Sequence, residues 1–199
     1  MSQITTIDLI RHGEPVGGRR YRGQVDDPLS DKGWSQMRQA VSALAPWDVV
    51  ISSPLSRCAE FARELSERLN IGLELDDRLK EVGFGAWEGL TGDQIRAMDK
   101  QALQRFYHDP IEHRPAGAEP LGTFNERVDA AYQAATRRHT GRHILIVTHA
   151  GVIRSILRNT LNAPLASMYR ISIDTASMSR IQLTAERPPT VQFVGKTTL

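Results

Sequence analysis

The sequence predicts a three-layer α/β/α sandwich on a mostly parallel, mixed central sheet, with a small lid insertion. Three features predict it. Short aliphatic runs alternate with stretches of helical period, the pattern of successive βαβ units. One run, His143 to Val147, is apolar almost without interruption, as a strand covered on both faces must be. Strand signals then follow one another in the last third, which makes the sheet mixed.

Taken in order, residues 4–10 read as a first strand that stops at the polar run Arg11-His12-Gly13-Glu14-Pro15. A loop rich in glycine and arginine runs from Val16 to Asp27. Ser30 is positioned as an N-cap for a helix over 31–45 that turns Met37, Ala40, Val41 and Leu44 inward. Trp47 to Ile51 is a short buried strand, and a serine cap in Ser52-Ser53-Pro54 opens a helix over 55–69 striped by Phe61, Leu65 and Leu69. Ile71 to Leu75 is a third strand.

From Asp76 to about Pro120 the pattern loosens. Glycines 83, 85, 89 and 92 punctuate it, a polar amphipathic helix is predicted over 92–108, and 109–118 is irregular. The segment reads as a lid-like excursion at about 76–120 from one domain spanning 1–199. A helix over 120–139 carries Phe124, Val128, Ala131, Tyr132 and Ala135 at helical spacing. After 143–147, Thr148-His149-Ala150-Gly151 opens a helix to about Leu161, and strands are predicted near 169–174, 177–184 and 190–194.

Composition narrows the function classes. With 25 Lys+Arg against 23 Asp+Glu, the net charge of +2 lacks the basic bias of nucleic-acid binders. Cys58 stands alone, so neither a disulfide framework nor a Cys-rich metal site is expected, and it is predicted buried. No run of about 18 apolar residues exists for a membrane span. No basic lead with a cleavable apolar core is visible, so a cytoplasmic protein is the expectation. His108, His113, His139 and His143 show no metal-ligand spacing. Trp34 and Trp47 read as packing residues, Glu14 as an orienting carboxylate, and the Arg19-Arg20-Arg22 loop as either a substrate mouth or a solvated charge run.

Three polar segments share one geometry. Arg11-His12 follows the first strand, Ser53 to Arg57 the second, and His149 the central one. In open α/β sheets ligands bind beyond the carboxyl ends of the strands. Two arginines, two histidines and a helix N-terminus on one rim suit a dianionic phosphate. A neutral imidazole there can attack phosphorus and form a phosphohistidine, and the leaving alkoxide then needs a proton from a nearby carboxyl with a raised pKa. By position, Glu81 on Leu79-Lys80-Glu81-Val82-Gly83-Phe84-Gly85 is a candidate, beside Glu74, Glu88 and the pair Asp76-Asp77.

Five blocks in order, each at a predicted strand end or loop, resemble the histidine phosphatase superfamily, the phosphoglycerate-mutase-like fold. They are Arg11-His12-Gly13-Glu14, Asp27-Pro28-Leu29-Ser30 with Gly33, Ser52-Ser53-Pro54-Leu55-Ser56-Arg57-Cys58-Ala59, Glu81-Val82-Gly83-Phe84-Gly85-Ala86-Trp87-Glu88-Gly89, and Val147-Thr148-His149-Ala150-Gly151. The resemblance covers almost the whole chain. It implies His12 as nucleophile, Glu81 as acid/base, and Arg11, Arg57 and His149 as the phosphate pocket, with Gly13, Gln24 and Ala150 completing the substrate-binding set. It implies no metal and no cofactor.

Within the family the chain is similar to the α-ribazole phosphatase group, through Arg-His-Gly-Glu-Pro-Val-Gly-Gly at 11–18, Tyr21-Arg22-Gly23-Gln24, the run 57–62 and the run 84–89. Two stretches depart from the family pattern. Pro15 and Gly17-Gly18 stand where many relatives carry a phosphate-contacting Thr and Asn, and 115–120 reads Pro-Ala-Gly-Ala-Glu-Pro where Pro-Gly-Gly-Glu-Ser is usual. The second departure bears on substrate identity. The expected partner is a small phosphomonoester such as α-ribazole 5′-phosphate, with no nucleic acid and no membrane; a homodimer is left open. The alternatives are a broad-specificity phosphatase of sugar phosphates or nucleotides, a mutase, and a non-catalytic phosphate-binding module. A mutase must hold its phosphate away from water, which relatives achieve with longer insertions. A silent module would be free to lose His12 or Glu81. Phe84 and Trp87 could stack on an aromatic base or simply pack the lid.

Overall fold

The computed structural model describes residues 3–42 and 46–197. Six strands form one sheet in the order β3-β2-β4-β1-β5-β6. These are β1 (Thr5–Arg11), β2 (Val49–Ser52), β3 (Gly72–Leu75), β4 (His143–Thr148), β5 (Met178–Leu183) and β6 (Thr190–Lys196). β1 to β4 pair in parallel, β5 runs antiparallel to β1, and β6 antiparallel to β5.

Alternation along the strands makes the three layers. Ile7, Leu9, Val49, Ile51, Ile144 and Ile146 point to one face, where they meet α5 (Leu121–Arg138) and α6 (Ala150–Thr160). Ile10, Val50, Leu145 and Val147 point to the other, against Met37 and Ala40 of α1 (Asp31–Ala40) and Cys58, Phe61 and Leu65 of α2 (Ser56–Leu69). Because both faces are covered, β4 carries apolar residues at every position from Ile144 to Val147, which is why that run was legible as central. Ser30 caps α1 as predicted, its Oγ accepting from Gly33 N–H at 3.1 Å. The helix ends at Ala40, sooner than the predicted 45; Leu44 lies outside the described residues.

Two predicted elements differ. The single helix over 92–108 is two short ones, α3 (Gly92–Met98) and α4 (Ala102–His108). Asp99 divides them: its backbone is extended, and its carboxylate accepts from Gln101 N–H, a turn that competes with continuing the helix. The predicted strand at 169–174 is absent. Leu165–Arg170 is a 3₁₀ helix, and 171–177 leaves the sheet to wrap the end of β1, where Ala176 N–H donates to Arg11 O at 3.0 Å. Residues 76–120 contribute no strand. Phe84, Trp87, Ile95, Leu103 and Phe106 pack this segment onto the α5/α6 face. Among the described residues no helix is long and apolar enough to cross a membrane.

Candidate active site

Three strand ends meet at one rim. Arg11 of β1 lies in register beside Thr148 of β4, and Ser52 of β2 beside Val147. The ladder continues one step past the strands: His12 N–H donates to Thr148 O at 2.9 Å and Ser53 N–H to Val147 O at 3.0 Å. Sheet geometry therefore fixes His12, Ser53 and His149. The turn after His12 lies hard against α1. A Cβ on Gly13 would stand 2.3 Å from Gly33 O, and one on Gly33 2.1 Å from Glu14 O, so both positions require glycine.

His12 is 6% exposed, with Nδ1 2.7 Å from Gly13 O. A carbonyl only accepts, so Nδ1 carries the hydrogen and Nε2 keeps its lone pair. Burial, helped by the charges of Arg11 and Arg57, holds the imidazole pKa well below its ordinary value, so the ring is neutral. Burial, with Arg57 and His12, does the same to His149. The two rings meet edge to face with centroids 5.2 Å apart.

His149 Nε2 is 2.8 Å from Ser53 Oγ, which also accepts from Leu55 N–H at 3.3 Å. This corrects the predicted helix cap. The N-cap of α2 is Leu55, without a side-chain bond, and the Ser53 hydroxyl serves the histidine. Cys58 lies 3.7 Å from His149 Nε2, its thiol pushed above its ordinary pKa by burial and hence not a thiolate.

Arg11 donates from Nη1 to Ile173 O at 2.7 Å, and its Nε is buried without a partner. Arg57, 1% exposed, donates to Val25 O at 2.7 Å and Gly23 O at 2.8 Å, tying down the loop that carries Gln24. Each of its Nη atoms has a second hydrogen and its Nε is unpartnered, so donors remain for an anion. Arg22 is buried and paired with Asp27 at 2.9 Å, while Arg20 bonds Gly89 O across the loop.

Glu81 enters from the loop after β3. Oε1 accepts from Val82 N–H at 2.9 Å and Oε2 from Gly151 N–H, in the first turn of α6, at 3.1 Å. A Cβ on Gly151 would stand 2.2 Å from Oε1, so glycine there admits the carboxylate. Arg127 on α5, which nothing in the sequence singled out, clamps this loop. It donates to Arg78 O, Lys80 O and Glu81 O at 2.6, 2.8 and 3.1 Å while holding both oxygens of Glu119. Only its place beside the inward Val128 hinted that it faces the body of the protein.

The remaining expected residues are less uniform. Gln24 is exposed, with its backbone N–H on Glu88 and its side-chain amide 3.4 Å from Glu81 O. Ala150 begins α6 beside His149, and Gly13 offers its carbonyl to His12. Phe84 and Trp87 are buried in a cluster with Tyr21 and Phe106, so they pack the 76–120 segment onto the body of the protein. A separate cleft of about 290 Å³ lies between α3, α4 and residues 112–115, floored by Trp87 and Ile95, away from the histidine rim. Among the described residues no group of three or more His, Cys, Asp or Glu side chains is arranged to hold a metal ion.

A neutral, oriented imidazole among cations and a carboxylate is the equipment of phosphoryl transfer through histidine. The family model described as "Histidine phosphatase superfamily (branch 1)" matches residues 7–195, and the chain belongs to that superfamily. It is 32% identical over 198 residues to the bifunctional protein Rv2228c of Mycobacterium tuberculosis, covering 97% of this chain and 54% of that protein. The chain thus spans about half the length of the mycobacterial relatives it matches. It is 29% identical to phosphoserine phosphatase 1 of Hydrogenobacter thermophilus, covering 92% and 89% of the two chains. Identity to the adenosylcobalamin/alpha-ribazole phosphatase of Salmonella typhimurium is 28%, covering 88% and 89%. A solved mycobacterial glucosyl-3-phosphoglycerate phosphatase shares the fold with a TM-score of 0.84 at 25% identity, covering 96% and 98%.

Proposed function

We propose that the chain hydrolyses small phosphomonoesters through a phosphohistidine on His12. The supporting observation is the tautomer: with Nδ1–H held by Gly13 O and the ring kept neutral, the Nε2 lone pair is free. Nε2 attacks phosphorus in line, the N–P bond forming as the P–O bond to the alcohol breaks. Glu81 gives its proton to the departing alkoxide and then takes one from water, which displaces phosphate from His12 and restores the ring. Arg11, Arg57 and His149 hold the phosphoryl oxygens, with the first turn of α6 behind them. Residues 76–120 act as the lid, and Gln24 borders its mouth. No step uses a metal, so hydrolysis is expected to persist in chelator.

The test is acid-labile labelling from a radioactive phosphomonoester together with turnover of an aryl phosphate. Both disappear in His12→Ala; equal turnover by that variant refutes the mechanism.

For the substrate, the blocks at 11–18, 21–24 and 84–89 support α-ribazole 5′-phosphate, and a phosphatase so named is among the relatives. A second reading, a phosphatase of other small phosphate esters, is favoured by the relatives, among them phosphatases named for phosphoserine and for glucosyl-3-phosphoglycerate. A substrate panel compared by kcat/KM separates them. A preference below about tenfold, about 1.4 kcal/mol, favours broad specificity.

A further inference from the structure

Arg57 can aim its free donors at an anion only while its other donors stay engaged, and the groups that engage them belong to a loop. They are the carbonyls of Gly23 and Val25, at 2.8 and 2.7 Å. Both ends of that loop are tied elsewhere. Tyr21 pairs with Leu90, and Arg20 donates to Gly89 O at 2.8 Å. Arg22 pairs with Asp27, and the Asp26 carboxylate accepts from Ser56 N–H at 2.7 Å at the start of α2. Between these ties, the only side chains bonded to the backbone of 23–25 among the described residues are Arg57 and Glu88.

Glu88 Oε1 accepts from Gln24 N–H at 3.1 Å and from Phe84 N–H at 3.0 Å, so one oxygen splices the loop to the 76–120 segment. Its own base is firm. It follows the 3₁₀ turn Gly85–Trp87, where Trp87 is buried and Ala86 N–H donates to Ala116 O at 2.9 Å. Gly23 makes room for it: φ there is +53°, and a Cβ would stand 2.1 Å from Oε1, so the carboxylate fills the space a side chain would need. Gly151 admits Glu81 in the same way.

Both bonds of Glu88 use it as an acceptor. That separates it from Glu81, with which it competes by sequence position as the acid. A proton donor must carry a hydrogen, whereas a brace for N–H groups must keep an oxygen free. Arg57 is buried, and its charge reaches both His12 and His149. A shift of about 1 Å in the loop is enough to turn its planar fork away from a bound oxyanion, since bidentate bonds depend on direction.

Resting on the hydrolase reading above, we propose that Glu88 is a positioning residue for the phosphate site: it fixes the backbone of residues 23–25, whose carbonyls set the plane of the Arg57 guanidinium.

The test is the Kd of inorganic phosphate, measured by calorimetry beside the turnover of an aryl phosphate. Glu88→Ala should weaken phosphate binding by about tenfold, the size of one charge-assisted bond, and kcat/KM should fall with it. Glu88→Gln keeps the acceptor oxygen and should bind within about twofold of wild type, with the same pH profile. In an Arg57→Lys background, which lacks the fork, Glu88→Ala should add less than about threefold. A merely structural role would lower Tm and leave the Kd of the folded protein alone. Glu88→Asp, which keeps the charge but shortens the reach, replaces the alanine variant if that one does not fold. Unchanged phosphate binding in Glu88→Ala, no rescue by glutamine, or a further loss of about tenfold on top of Arg57→Lys overturns the proposal. Phosphate binding that responds to Glu88, with no hydrolysis by the wild type, sinks the phosphatase reading and leaves the brace standing. Hydrolysis with phosphate binding indifferent to Glu88 does the reverse, and a wild type that binds no phosphate overturns both.

Discussion

Asp8 in β1 and His12 just past its end are four residues apart, and both are buried polar groups in the sheet. Asp8 is wholly enclosed and wholly satisfied. Trp47 Nε1–H donates to it at 2.8 Å, Arg180 through two nitrogens at 2.7 and 2.9 Å, and His143 Nε2 lies at 2.9 Å. Burial pushes its carboxyl pKa up, but the bonds from His143, Arg180 and Trp47 outweigh that and leave it lowered. Around His12 the opposite holds: among the described residues Nε2 has no partner, and the Nε atoms of Arg11 and Arg57 are buried and unbonded. A buried charge is therefore no sign of a site by itself. Several idle donors converging on one neutral imidazole are the sign, because buried polar groups are nearly always paired.

The contrast breaks most visibly at its two centres. His12→Ala should lower kcat by about 10⁴-fold or more, measured on an aryl phosphate, with no loss of thermal stability. A stability loss as large as that of an Asp8 variant would make His12 structural. Asp8→Ala strands Arg180 and His143 and should cost about 3–5 kcal/mol in urea unfolding, while the folded fraction keeps its kcat. Gly151→Ala pushes a methyl into Glu81 and should cost about 10²-fold in kcat with Tm nearly unchanged, since the clash is with a side chain that can swing aside.

The pH dependence sharpens the comparison further. His12 and His149 have lowered pKa values in the folded state, so as the pH falls the unfolded chain binds protons first. Their contribution is fully present above about pH 6.5 and lost below it, at up to about 2.7 kcal/mol per pH unit for two groups. The lowered carboxyl of Asp8 acts separately: its contribution persists down to about pH 4 and is lost as the pH falls further. Urea titrations across pH 4–8 should show the histidine slope, and it should halve in His149→Asn. The smallest effect belongs to Ser53→Ala, about 1 kcal/mol, read as a several-fold rise in the Kd for inorganic phosphate.

Much of this was legible beforehand where signals are local. The apolar strands, the Ser30 cap and the stripe Phe124-Val128-Ala131-Tyr132-Ala135 each depend on neighbours a few residues away, and each stands as predicted. The misread places are those where a distant partner overrides local preference. Residues 169–174 look like a strand, but the chain there turns to hold Arg11 and the end of β1. Ser53 has the appearance of a cap, yet His149, 96 positions away, claims its hydroxyl.

What the sequence by itself determined is the layered fold and the residue types gathered at the strand ends, because periodicity and ordered blocks survive without coordinates. Which nitrogen of His12 keeps its lone pair was decided only by tertiary structure. The same is true of Glu81, admitted by Gly151 and clamped by Arg127, and of the donors left idle on Arg11 and Arg57. Hydrogen bonds between residues far apart in the chain fill some valences and leave others open, and no local pattern records which.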